Sequence, residues 1–180
     1  MTAIENIKAR RSIRKFTDQP VTVEDIEKIV EAARFAPSWK NTQTTRYIAV
    51  IDPEKKDQIA NDAVLGFEYN KKTIGRAPAL MVITTVNKRS GYERDGSFTT
   101  SKGTHWQSFD AGIATQTFCL AASEMGFGTV ILGIYDEAAV KEILGIDENE
   151  SVSALVPIGY PAAEPEAPAR KEVDVLLRTI

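Results

Sequence analysis

From Ser108 to Gly126 the chain reads SFDAGIATQTFCLAASEMG. At 3.6 residues per turn, Ala111, Ile113, Ala114, Phe118, Leu120, Ala121 and Ala122 fall on more than one face of a helix. A helix over Ser108–Met125 is therefore buried on several sides, in a core or in a subunit interface. Gly126 caps its C-terminus. An ordinary surface helix shows one apolar stripe, so the rest of the fold must wrap this one.

Outward from that helix the pattern alternates. Upstream, Ala79 to Val86 is a continuous apolar run with β-branched residues, which predicts a central strand. Asn87 to Thr104 is polar and contains Gly, which predicts a mobile loop or lid. Downstream, Thr129–Leu132 reads as a short strand and Asp136–Leu144 as a helix closed by Gly145. Val152–Ile158 reads as the last strand. Pro161, Pro165 and Pro168 make the next stretch extended, and the tail Lys171–Ile180 carries Val173, Val175, Leu176 and Leu177, too apolar to dangle alone.

Toward the N-terminus, Thr2 and Glu5 form a capping box for a helix through about Ala9. Thr22 and Asp25 start a second helix with Ile26, Ile29, Val30 and Ala33 on one face, and Pro37 ends it. Arg46–Ile51 is β-rich. Asp52-Pro53 opens a helical segment predicted through about Ile74. The expectation is one α+β domain over residues 1–180, with helices packed on a mainly antiparallel or mixed sheet.

Composition narrows the chemistry. Lys and Arg number 22 against 25 Asp and Glu, a net charge of −3, so no basic excess favours nucleic acid. No apolar run reaches the roughly 20 residues of a membrane span. Met1–Glu5 lacks the basic and apolar regions of a signal peptide. With the single Cys119 excluding an internal disulfide, this fits the cytoplasm. One His and one Cys are too few for the common zinc sites, so no metal is expected. No G-x-S-x-G is present to pair with His105 in a triad. An enzyme with this composition draws its reactive group from a cofactor. Cys119 reads as a small buried hydrophobe and His105 as a helix-start residue.

Three polar clusters remain. Arg10-Arg11-Ser12-Ile13-Arg14-Lys15 gathers guanidinium forks and a hydroxyl that match phosphate oxygens, and equally suits a solvated basic face. Ala36-Pro37-Ser38-Trp39-Lys40-Asn41-Thr42-Gln43 offers amides and hydroxyls to the edge of a planar heterocycle, or is a plain connection. Trp39 in such a loop packs on something, a ligand or a partner chain. Arg170-Lys171 is a second basic pair far along the chain. Ile131-Leu132-Gly133-Ile134 ends a strand with a Gly, which allows close backbone approach to a ligand or simply permits a turn.

Together these segments resemble the nitroreductase family. RRSIRKF (Arg10–Phe16) is similar to its flavin-phosphate motif, APSWKNTQTTRY (Ala36–Tyr47) to its A-P-S-x-x-N-x-Q loop, and Phe109–Thr129 to its central helix ending in G-x-G-T. Asn70 before Ala77-Pro78, ILGI (Ile131–Ile134) and Ala169-Arg170-Lys171 complete the order. The resemblance implies an interlocked homodimer with FMN at the interface and NADH or NADPH as reductant. It implies that Arg10, Arg11, Ser12 and Arg170 hold the FMN phosphate, with Lys171 a weaker candidate. Arg14 would lie near flavin N1, where a guanidinium favours the anionic reduced ring. Asn70 would contact the flavin or its ribityl chain. Pro37, Ser38, Asn41 and Gln43 would come from the partner subunit. Ile131, Leu132 and Gly133 would approach the dimethylbenzene or N5 side. Nitroaromatics and quinones are the implied acceptors. Reductive dehalogenation or flavin fragmentation on the same fold, a non-catalytic flavin-binding module and a flavin-free phosphate-binding domain are the alternatives. Thr44-Thr45, Trp39 and the segment Lys88–Thr104 depart from the family pattern.

Overall fold

The computed structural model describes residues 1–180. Four antiparallel strands make one sheet in the order β1-β2-β4-β3, where β1 is Thr45–Val50, β2 Ala79–Val86, β3 Gly128–Thr129 and β4 Glu150–Gly159. The helices are α1 Ala3–Ala9, α2 Val23–Ala33, α3 Pro53–Asp62, α4 Glu68–Arg76, α5 His105–Glu124, α6 Glu137–Leu144 and α7 Val173–Leu176. This is the α+β class expected, with every pairing of named strands antiparallel. No helix is long and apolar enough to cross a membrane.

The central strand β2 is buried through Thr85. Because successive strand residues face opposite sides, Ala79, Met81 and Ile83 pack with Ile29 of α2 and Phe118 and Ala122 of α5. Leu80 and Val82 point the other way, into a core with Ile59, Ile74 and Val140 of α3, α4 and α6. The sheet is thus covered on both faces. Asp110, Ala111, Ala114, Thr115, Phe118, Cys119 and Ala122 of α5 are buried, while Phe109 stands 56% exposed on another side of the same helix.

The local signals are where the sequence puts them. Thr2 with Glu5 and Thr22 with Asp25 both form complete capping boxes. Asp52 caps α3 with Pro53 at its start. Asp136 caps α6, and Gly145 closes it in the left-handed region at φ 65°. Gly126, at φ 84°, follows the last turn of α5.

Several expectations need correction. The helical segment through Ile74 is two helices, broken at Leu65 and Gly66, which take φ of 52° and 68°. No right-handed helix continues through such residues. The strand expected over Thr129–Leu132 is ordered as β3 plus a single bridge from Leu132 to Leu155. The second helix stops at Ala33, ahead of Pro37. The segment Asn87–Thr104 is a loop of turns and bends, as expected, and it is tied down along its length. Ser90 and Gly91 are buried, the Lys88 N–H donates to Gln107 Oε1 at 2.7 Å, and Trp106 Nε1 donates to Thr100 Oγ1 at 2.8 Å. In the single chain Val173, Val175, Leu176 and Leu177 of the tail are all exposed.

Two glycines test this packing in opposite directions. A Cβ on Gly128 would sit 2.6 Å from Ile13 Cγ1, whereas one on Gly75 would meet nothing within 4 Å. Gly128→Ala is expected to destabilise by about 1–3 kcal/mol, and Gly75→Ala to stabilise by up to about 1 kcal/mol. Urea unfolding of both variants measures the difference.

Candidate cofactor site

The basic cluster is laid out by β3. Ser12 bridges Thr129 in parallel, and the Ile13 N–H donates to the Thr129 carbonyl at 2.9 Å. Extended backbone alternates its side chains. Ile13 turns inward to a small core with Phe16 and Ala77, which leaves Ser12 and Arg14 on the other side.

The far end of the chain then comes alongside. Past β4, Phe16 bridges Pro161, the Thr17 N–H donates to the Tyr160 carbonyl and the Ala162 N–H to the Lys15 carbonyl. This pairing delivers Arg170 to the cluster. Arg10, Arg11, Ser12, Arg14 and Arg170 line one cavity of about 260 Å³. None of these guanidinium groups is in an ion pair, and Arg10 Nε is buried with no hydrogen-bond partner. Like charges gathered around an orphaned donor call for an anion. The residues therefore fit a phosphate.

Their settings differ. Arg11 Nη1 donates to the carbonyls of Lys8 at 2.6 Å and Arg10 at 2.9 Å, which satisfies the end of α1. Arg14 donates to the Ser12 carbonyl at 3.2 Å, and Arg170 to the Pro168 carbonyl at 2.9 Å. Lys171 is exposed and outside this cavity, so the structure does not group it with the arginines. Glu166, which sequence reasoning passed over, does line the cavity. Its signal was an acid four residues before Arg170 within the Pro-rich stretch.

The other candidates lie elsewhere in the single chain. Asn70 is 6% exposed, and its Nδ2 donates to the Ile134 carbonyl at 2.9 Å, which ties α4 to the Ile131–Ile134 run. Along that run Leu132 is buried while Ile131 and Gly133 face outward. Only the backbone of Leu132 is left for a ligand, because its side chain belongs to the core. Ile131 opens onto a cavity of about 680 Å³, lined with polar groups from Thr85, Gln107, Ser108, Tyr135 and Ser153. Pro37, Ser38 and Gln43 line a separate cavity of about 220 Å³, and Asn41 is exposed. One chain does not bring this loop to the arginines.

Sequence reasoning also missed Asp110, the one acid inside the apolar helix before Glu124. It is 2% exposed and accepts from the Trp39 N–H at 2.9 Å and from Ser90 Oγ at 2.6 Å. An acid amid an apolar helical run needs partners when buried, and that was the available signal. Trp39 packs against Trp106, ring centroids 4.6 Å apart. Cys119 is buried, and that burial pushes its thiol up despite the Thr129 side chain and the Arg10 charge. Thiolate chemistry there is disfavoured. His105 is exposed at the start of α5. Among the residues there is no His, Cys, Asp and Glu grouping suited to a metal.

A model of the nitroreductase family matches residues 7–68 and 64–160. A protein of Archaeoglobus fulgidus, provisionally named NADH dehydrogenase/NAD(P)H nitroreductase, is 35% identical over 165 residues, 89% of this chain and 86% of its own length. The NADPH-flavin oxidoreductase of Vibrio harveyi is 33% identical over 97% of this chain and 72% of its own. The structure of a V. harveyi NADPH:FMN oxidoreductase complexed with NAD+ superposes with a TM-score of 0.81 at 30% identity, covering 98% of this chain and 76% of that one. The iodotyrosine deiodinase of Nematostella vectensis is 26% identical over 96% of this chain and 73% of its own. The chain belongs to the nitroreductase family.

The cavity generates a direct test. Arg10→Ala is expected to weaken binding of a phosphate-bearing ligand by about 1.5–3 kcal/mol, the worth of a charge-assisted contact. Lys171→Ala should leave it unchanged. Calorimetric titration of both variants with FMN makes the comparison.

Proposed function

We propose that the chain is an FMN-dependent NAD(P)H oxidoreductase that acts as a homodimer in the cytoplasm on nitroaromatic or quinone-type acceptors. The observation that carries this is the cavity where both ends of the chain surround the orphaned Arg10 Nε with unpaired guanidinium groups. It suits one terminal phosphate. The sequence has no dinucleotide fingerprint, which favours FMN over FAD. The names of the relatives support flavin and nicotinamide use.

When bound, FMN supplies the redox chemistry between reduced nicotinamide and an acceptor. The chain's own residues bind, orient and bias. Arg10, Ser12 and Arg170 hold the phosphate. Arg14, exposed at the edge of the cavity, supplies the positive charge that favours a reduced, anionic ring. Asn70 sets the Ile131–Ile134 backbone, and Gly133 leaves room for a ring to lie against it. Ser38 and Asn41 complete the site from a second copy.

Dimerisation is supported by apolar surface that one chain leaves uncovered. Ile4 and Ile7 of α1, Phe109 of α5 and the tail residues Val173, Leu176 and Leu177 are all exposed. Obligate homodimers bury apolar surface of this kind, roughly 2,000 Å² or more. A second reading, reductive dehalogenation, has the deiodinase likeness in its favour.

The purified protein is expected to be yellow, to release FMN and not FAD on denaturation, and to scatter light as a dimer. Rapid mixing with NADH or NADPH should bleach the flavin. A colourless protein that takes up no added FMN overturns the reading. Turnover of halogenated phenols, with nitroaromatics left untouched, selects the second reading instead. Arg14→Ala is expected to lower the flavin reduction potential and slow its reduction, with a smaller effect on oxidised-FMN affinity, as potentiometry beside titration would read.

A further inference from the structure

The loop before β1 has a backbone shape that Asn41 tolerates but Lys40 and Gln43 disfavour. Lys40, Asn41 and Gln43 hold φ of 44°, 55° and 49°, all in the left-handed region. Within the loop, Ser38 Oγ accepts from the Gln43 N–H at 2.9 Å, and the Asn41 N–H donates to the Ser38 carbonyl at 3.0 Å. Trp39 Nε1, Thr42 Oγ1 and Thr44 Oγ1 are buried with no partner, so no hydrogen bond from these side chains holds it. Something outside the loop must fix the strained form.

Asp110 is in place to do so. One carboxylate oxygen, Oδ2, accepts both the Trp39 N–H and the Ser90 hydroxyl. No Lys, Arg or His pairs with this buried acid, so both hydrogen bonds are spent on tethering. Trp39 precedes β1 and Ser90 follows β2, so the two bonds join segments from either side of the β1–β2 unit. One turn ahead on α5, Trp106 packs at a tilt on Trp39, and the Gly91 backbone lies so close that a Cβ there would meet Trp106 at 2.9 Å.

We propose that Asp110 is a positioning residue that clasps the Ser38–Gln43 loop and the Ser90 segment to α5 as one body, and so sets the presentation of Ser38 and Asn41 to FMN. The second half rests on the function proposed above; the clasp itself does not. Losing the Asp110 carboxylate releases both segments together, so the loop and the Lys88–Thr104 segment move as one while both bonds to Oδ2 are made.

The chain holds only two tryptophans, and they are this pair. Indoles 4.6 Å apart and tilted by 48° couple their transitions, so near-UV circular dichroism reports loop position without flavin or turnover. In the full chain, Asp110→Ala is expected to abolish the paired-indole signal and to weaken FMN binding, read by quenching of flavin fluorescence, by about tenfold or more. Asp110→Asn keeps a carbonyl oxygen that can accept both bonds, and is expected to restore most of both readouts. Ser90→Ala should keep the indole signal but speed tryptic cleavage at Arg89, Arg94 and Lys102. A wild-type indole signal and FMN affinity in a folded Asp110→Ala overturns the proposal, as does failure of Asp110→Asn to restore either. Should Asp110→Ala not fold, hydrogen exchange in Asp110→Asn decides. The Trp39 amide should exchange about tenfold faster than in the wild type, since a neutral carbonyl accepts more weakly than a carboxylate. An unchanged rate overturns the clasp. If the wild-type chain binds no FMN, the functional reading fails, and the indole and exchange readouts still judge the clasp.

Discussion

Burial of β2 on both faces is the constraint that places every other element. A strand whose residues from Ala79 to Thr85 are all inaccessible gains the full apolar transfer energy on each side, about 25 cal/mol for each Å² removed from water. That gain is available only if helices roof both faces. On one side α2 and α5 do so, on the other α3, α4 and α6. The small residues Ala111, Ala114 and Ala122 keep the buried face of α5 shallow while Phe118 fills the core. With α5 fixed, the turn after it delivers β3 to the edge of β4, and β3 is the rail on which Ser12 is laid.

The same geometry creates an electrostatic debt. Guanidinium groups from Arg10, Arg14 and Arg170 share one small cavity without an ion-paired acid. Solvent screening keeps the cost modest for Arg14 and Arg170, which are exposed, but Arg10 Nε is shut away. An anion that fills the gap binds the folded chain and not the unfolded one, so it raises stability as its concentration rises above its dissociation constant. Site and fold are therefore linked through one buried nitrogen.

How much of this was legible follows from the range of each signal. The capping boxes at Thr2 and Thr22, Asp52-Pro53 and Gly145 act within a few residues, and each appears where the sequence alone puts it. The run Ala79–Val86 matches β2 residue for residue, because continuous apolarity is itself the signature of a two-faced strand. The break between α3 and α4 was hidden, since Leu65 is an unusual residue for a left-handed conformation and Gly66 alone is weak notice. The two-residue β3 is too short to carry a pattern. The arginines were legible as a cluster, but their union with Arg170 depends on backbone pairing between residues 15–17 and 160–162 that no local rule encodes. Asp110 was legible only as an anomaly, and its partners needed coordinates.

That pairing of the two chain ends has a kinetic meaning. During synthesis the chain emerges from its N-terminus, so Arg10 and Ser12 exist long before Arg170 does. The contacts that close the cavity are among the most distant in sequence that this chain makes, and they form cheaply only after the sheet has drawn the two ends together. An incomplete chain thus has a half-built anion site that lacks Arg170. On the proposed function, a phosphate ligand is held in full only by chains whose C-terminal segment has been made and has paired with residues 15–17.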